Sequence, residues 1–98
     1  MSYKLKYLPS FDIDFIYAEE YLSEVSNSAA RKLMLAIKNQ MSRLVNYPFM
    51  CPVYEFDMRF RVISLPYQYL CFYSVDEDTK TLEIYRLVRG MRDVPNLL

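Results

Sequence analysis

A single α+β domain is predicted for these 98 residues, with a four-stranded, mainly antiparallel sheet and an N-terminal helical hairpin packed on one face. Three observations predict it. The hydrophobic period changes from two to three or four at Phe11 and returns to two from Arg59. Only Ser26-Asn27-Ser28 separates the two helical stretches, so they must fold back on each other. The stretch Tyr67 to Val75 is apolar on both parities, as a central strand is. The order strand-helix-helix-strand-strand-strand follows, with no linker to divide residues 1–98 into two domains.

Each element has its own warrant. Tyr3 to Leu8 alternates apolar with Lys4 and Lys6, which predicts a strand. Pro9-Ser10 ends it, and Ser10 is the expected N-cap of the first helix. Phe11, Phe15, Ala18, Leu22 and Val25 form one helical stripe. Asp12 and Asp14 favour the positive end of that helix, and Glu19, Glu20 and Glu24 give it a negative, solvated side. The second helix is predicted from about Ala29 to Val45, with Ala30, Leu33 or Met34, Ile37, Met41 and Leu44 inward and Arg31, Lys38 and Arg43 elsewhere. Neither helix can bury its stripe alone, so both should cover the sheet. Asn46-Tyr47-Pro48 stops the second helix. Residues 48–58 read as an ordered loop, and Arg59 is expected to open the second strand. Ser64-Leu65-Pro66 is a turn made without glycine, Tyr67 to Val75 the third strand, Asp76 to Lys80 a hairpin turn, and Thr81 to Arg89 the fourth strand. Leu97 and Leu98 end the tail as packing anchors.

Composition narrows the chemistry. At 53% hydrophobic and 24% charged the chain is globular rather than disordered. Its formal net charge of zero argues against nucleic-acid binding by bulk charge, while leaving a local basic patch open. Cys51 and Cys71 stand in no metal or redox spacing, and the absence of histidine excludes a Cys/His zinc site. No metal and no cofactor are expected. The N-terminus reads without a signal peptide, and no apolar run approaches the roughly 20 residues of a membrane helix. The expected address is the cytoplasm. The tyrosines and methionines read as core and boundary residues rather than as a stacking surface.

The arginines carry the functional signal. Strand alternation would place Arg59 and Arg61 on one face, with Phe60 and Val62 turned to the helices. Arg86, Arg89 and Arg92 follow near the end of the chain. A planar guanidinium grips phosphate or carboxylate in two places, so a shared arginine face would meet phosphates or an acidic protein. On the fourth strand Leu82, Ile84 and Val88 share one parity that Arg86 interrupts, which leaves its helix-facing side open.

The same residues resemble a known family. The opening strand, Asp14-Phe15 and Tyr21, the run Leu44-Val45-Asn46-Tyr47-Pro48, and then Arg61 and Tyr69-Leu70-Cys71-Phe72-Tyr73-Ser74-Val75-Asp76 stand in its order and spacing. The run Ile84-Tyr85-Arg86-Leu87-Val88-Arg89-Gly90-Met91-Arg92-Asp93 is similar to the family's I-x-R-V-x-H-G-R-R-D. Nearly the whole chain resembles the RelE/ParE superfamily, the toxins of bacterial type II toxin–antitoxin systems. Arg89 stands where many relatives have His, and Met91 where many have Arg.

The resemblance implies a β-α-α-β-β-β toxin held by a cognate antitoxin. Its leading mechanism is ribosome-dependent cleavage of messenger RNA. Arg61 would then clamp the phosphate, with Arg59 and Arg89 as helpers and Tyr85 among the tyrosines or Glu83 as proton-transfer group. Arg59, Arg61, Arg86, Arg89 and Arg92 would hold the nucleic acid. Such cleavage needs a base, a charge-stabilising group and an acid, and arginine supplies only the second well. The missing His and C-terminal Tyr favour the alternative, a non-enzymatic ParE-like inhibitor of DNA gyrase, while the paired Arg59 and Arg61 favour the nuclease. A third reading is a degenerate member that serves as a binding module or homodimer.

Overall fold

The computed structural model describes residues 2–90. Strand β1 (Lys4–Tyr7) leads into helix α1 (Pro9–Val25), then helix α2 (Asn27–Leu44), and strands β2 (Arg61–Ser64), β3 (Tyr69–Asp76) and β4 (Thr81–Arg89) follow. The sheet runs β1-β4-β3-β2, with β1 parallel to β4 and the other pairs antiparallel. The predicted class and element order hold. The tail with Arg92, Leu97 and Leu98 lies outside the described residues.

Several boundaries differ from expectation for local reasons. Helix α1 begins at Pro9, whose fixed φ suits the first helical position, so Ser10 lies inside the helix and is not its N-cap. The Ser10 hydroxyl instead donates to the Tyr85 carbonyl at 2.6 Å. Ser26 caps α2, its Oγ accepting from the Ala29 amide at 2.9 Å. Arg59 precedes β2, because Asp57 turns the chain there by accepting from both its amide and its guanidinium. Tyr67 belongs to a short 3-10 turn before β3, not to the strand. Tyr67 and Gln68 both hold left-handed φ, +62° and +64°. Two such residues without glycine cost about 1 kcal/mol or more each, so the neighbours must hold the turn. The Leu65 amide donates to the Tyr69 carbonyl, and the Gly90 amide to the Gln68 carbonyl.

The sheet buries both faces. Toward the helices, Ile63, Cys71, Tyr73, Leu82, Ile84 and Leu87 pack against Phe11, Ala18, Leu22, Leu33, Ile37, Met41 and Leu44. On the far face Phe60, Leu70, Phe72 and Val88 form a second cluster, with Val62 and Tyr85 against it and Tyr54 of the 48–60 segment over it. Phe60 and Val62 therefore point away from the helices, the reverse of the expectation.

A β-bulge settles the side that the β4 pattern left open. Phe72 pairs with Arg86 but Tyr73 with Ile84, so Tyr85 is the extra residue. The extra residue switches parity, and Leu87 joins Leu82 and Ile84 on the helix face. At the same level β1 leaves the sheet and α1 takes over the free edge of β4. The Leu8 amide donates to Ile84, Ser10 to Tyr85, and the Leu87 amide donates to Asp14 Oδ2 at 3.0 Å. Three groups of the β4 edge are thus paired by the strand-to-helix junction and the first turns of α1.

Candidate functional site

The five arginines were expected to converge on one anion-receiving face. Among the described residues they are spread over separate places. Arg59 bonds Asp57 in a forked pair, at 2.9 and 2.6 Å, and lies over the Phe60 ring on the far face of the sheet. That pair holds the Asp57 carboxyl below its ordinary range, chiefly through the guanidinium hydrogen bond. Arg61 turns to the other side, donating to the Cys51 carbonyl at 2.7 Å and the Phe49 carbonyl at 3.3 Å beneath the Phe49 ring. The two arginines do not share a face, because Arg59 stands outside the strand alternation.

Arg86 is committed to the fold. Its guanidinium meets Asp14 at 2.7 and 3.1 Å, both side chains being largely buried. That carboxylate contact raises the Arg86 pKa, first through the hydrogen bond. Arg89 is exposed at the end of β4, its guanidinium over the Tyr21 ring and its Nε reaching the Tyr67 carbonyl at 3.4 Å. Register separates it from Arg61. Arg61 stands opposite Tyr73 and Arg89 opposite Tyr69, on the two flanks of β3. Four residues along and two strands across amount to about 13 Å by 10 Å. Arg92 lies outside the described residues.

The candidate proton-transfer groups sit apart as well. Tyr85 stacks on Phe60 with ring centroids 4.8 Å apart, and with Arg59, Glu83, Ser74 and Leu8 it lines a shallow hollow on the far face. Arg59, Glu83 and Tyr85 are the predicted residues that the fold does bring together. Tyr73 is buried under the helix hairpin and donates to the Pro48 carbonyl at 2.8 Å. Burial pushes its hydroxyl well above the ordinary range and does the same, more weakly, to Tyr69. Neither can lose a proton readily near neutral pH. The Cys71 thiol is likewise raised by complete burial, and Cys51, beside Tyr73, is raised by partial burial. Among the described residues no group of His, Cys, Asp or Glu is arranged to hold a metal. None of their helices is long and apolar enough to cross a membrane.

Two apolar surfaces stand out, and the arginine reading missed both. The loop after α2 leaves Phe49, Met50, Val53, Phe56 and Met58 exposed, Met58 by 80%. Five large apolar side chains left in solvent within ten residues set this loop apart from the rest of the described surface. The signal was legible as apolar residues in a stretch without strand or helix period. The second surface is a groove of about 710 Å³ beside β1, walled by Leu5, Tyr7, Phe11 and Phe15 on one side and Ile37 and Met41 on the other. Lys4 and Leu8 turn their amides to β4, so the peptide groups of Leu5 and Tyr7 point to the open edge of β1 that borders the groove.

Comparisons with known proteins agree with the fold. The sequence signature described as the ParE toxin of the type II toxin–antitoxin system, parDE, matches residues 5–94. No curated protein matches the chain in sequence. Among solved structures the chain is similar to one of the chromosomal ParDE toxin–antitoxin system from P. aeruginosa. That match has a TM-score of 0.71 at 19% identity, over 92% of this chain and 98% of that one. It is also similar to the toxin–antitoxin complex RelBE2 from Mycobacterium tuberculosis. There the TM-score is 0.59 at 15% identity, over 92% of this chain and 93% of that one.

Proposed function

The chain belongs to the ParE toxin family of type II toxin–antitoxin systems, and we propose that it poisons by binding a protein, DNA gyrase, rather than by cutting messenger RNA. The observation that carries this reading is the dispersal of the arginines. A phosphoryl-transfer site needs preorganised cations around one phosphate and an acid and base beside it. Here Arg59 and Arg86 are each neutralised by a carboxylate, Arg61 is spent on backbone carbonyls, and Arg89 stands on the opposite flank of β3. Tyr73 and Tyr69 hold their protons more tightly than free tyrosine.

Binding asks for something different, a desolvatable apolar centre with a polar rim. The loop supplies exposed Phe49 and Met50 next to Arg61, and exposed Phe56 and Met58 next to Arg59. This surface is the proposed seat of the target. A cognate antitoxin is the proposed second partner, docking in the groove along β1, where an added strand would meet the open peptide groups of Leu5 and Tyr7.

The test sets two activities side by side. Purified protein is expected to block gyrase supercoiling and to leave messenger RNA intact in a translation extract. Ribosome-dependent cuts that vanish in Arg61→Ala, with gyrase unaffected, would overturn the proposal and restore the nuclease reading.

A further inference from the structure

Helix α1 carries a second apolar face that stays exposed among the described residues. Its core side is Phe11, Ala18 and Leu22. On the opposite side Ile13, Ile16 and Tyr17 are exposed by 54, 56 and 66%, at spacings of three and four that put them on one line. Glu20 and Glu24 continue that line toward Ser26. A helix apolar on two sides is expected to be covered on both. Helix α2 presents Arg31, Leu35 and Lys38 outward, with Leu35 exposed by 59%.

Charge is segregated between the two helices. α1 contains Asp12, Asp14, Glu19, Glu20 and Glu24 and no cation, while α2 contains Arg31, Lys32, Lys38 and Arg43 and no carboxylate. Among the described residues the ion pairs are Asp57–Arg59 and Asp14–Arg86, so these helices satisfy none of their other charges against each other. The outer face of the hairpin is therefore an acidic, apolar strip beside a basic one.

We propose that this face pairs with the same face of a second copy of the chain, α1 of each protomer lying on α2 of the other. With the helices of the two copies aligned, two-fold symmetry allows two ways of stacking such hairpins face to face. An axis across the helices sets α1 on α1 and carboxylate against carboxylate. An axis along the helices sets α1 on the partner's α2, antiparallel, and opposite charges meet. It also preserves height along the hairpin. Counting outward from Ser26 in both directions puts Tyr17 level with Leu35 and Glu20 level with Lys32. The aromatic ring then meets leucine, and the carboxylate meets the Arg31-Lys32 pair. Charge thus chooses the axis, and the zero net charge of the chain adds no long-range repulsion. The face measures about 25 Å by 20 Å from helix length and spacing. That lies at the low end for a specific interface, so the dimer is concentration-dependent.

Sedimentation velocity of the full chain over a micromolar concentration series tests this, with circular dichroism confirming that each variant is folded. A reversible monomer–dimer equilibrium is expected for the native chain. Glu20→Lys and Lys32→Glu should each weaken it at least tenfold. Mixing the two variants in equal amounts should restore association, because each then offers what the other lacks. Tyr17→Lys, at a side chain two-thirds exposed, should weaken dimerisation without loss of helix. A monomer at all concentrations would overturn the proposal and leave the face to a different partner. A dimer indifferent to all three substitutions would overturn it too, by placing the interface elsewhere. Gyrase inhibition is read separately, so neither result depends on the target of the toxin.

Discussion

The two faces of the sheet are buried by different means. The helix face is covered by an antiparallel hairpin whose periodic stripes leave Tyr73, Leu82, Ile84 and Leu44 with no exposure at all. The far face is covered by an irregular segment that places one aromatic, Tyr54, over Phe60, Leu70 and Phe72. A helix turns polar and apolar residues to opposite sides automatically. A loop broken by Pro48 and Pro52 cannot, and it leaves Phe56 and Met58 in solvent. One face is therefore sealed by periodic packing, and the other is covered by a segment that leaves apolar side chains in solvent. The same contrast holds between the helices. α2 is amphipathic in the ordinary way, whereas α1 has apolar residues on two sides.

The contrast is sharpest in the deep core of the helix face. Leu82→Ala should cost about 4 kcal/mol, the upper range for a fully buried leucine, measured by urea unfolding. The junction between α1 and β4 comes next. Asp14→Asn should cost about 2 kcal/mol, because it removes the negative charge facing Arg86 and weakens the acceptor of the Leu87 amide. A loss under about 0.5 kcal/mol there would show that the junction is dispensable.

Tyr73→Phe should cost about 1 kcal/mol through the lost bond to Pro48, provided the loop does not rearrange. The same region predicts alkaline sensitivity. Burial keeps the Cys71 thiol and the Tyr73 hydroxyl protonated in the fold, while the unfolded chain releases both protons earlier. Their stabilisation is whole below the ordinary thiol value of 9.0 and declines as pH rises beyond it. The melting temperature should fall with pH above that point, and less steeply in Cys71→Ala. Met58→Asp should have the smallest effect on stability, within about 0.5 kcal/mol. It should nevertheless abolish gyrase inhibition, which would separate the binding surface from the core beneath it.

Much of this protein is determined by its sequence alone, because the signals are local. The helix stripes, the polar break at Ser26, the doubly apolar third strand and the Asp76 turn each act through neighbours a few residues away. The order of elements and the family likeness follow from them. Tertiary structure decided what depends on distant partners. The face that Phe60 and Val62 occupy was set by the far cluster, and the bulge at Tyr85 reset the parity of β4 where β1 gives way to α1. The fate of the arginines was decided in the same way. A guanidinium's position along the chain says nothing of whether a carboxylate, a carbonyl or a ring will be waiting for it. Asp14 reached Arg86 across the sheet edge, the Cys51 loop reached Arg61, and the strand pairing parted Arg61 from Arg89. Periodicity is a property of a segment, whereas convergence is a property of the packed whole.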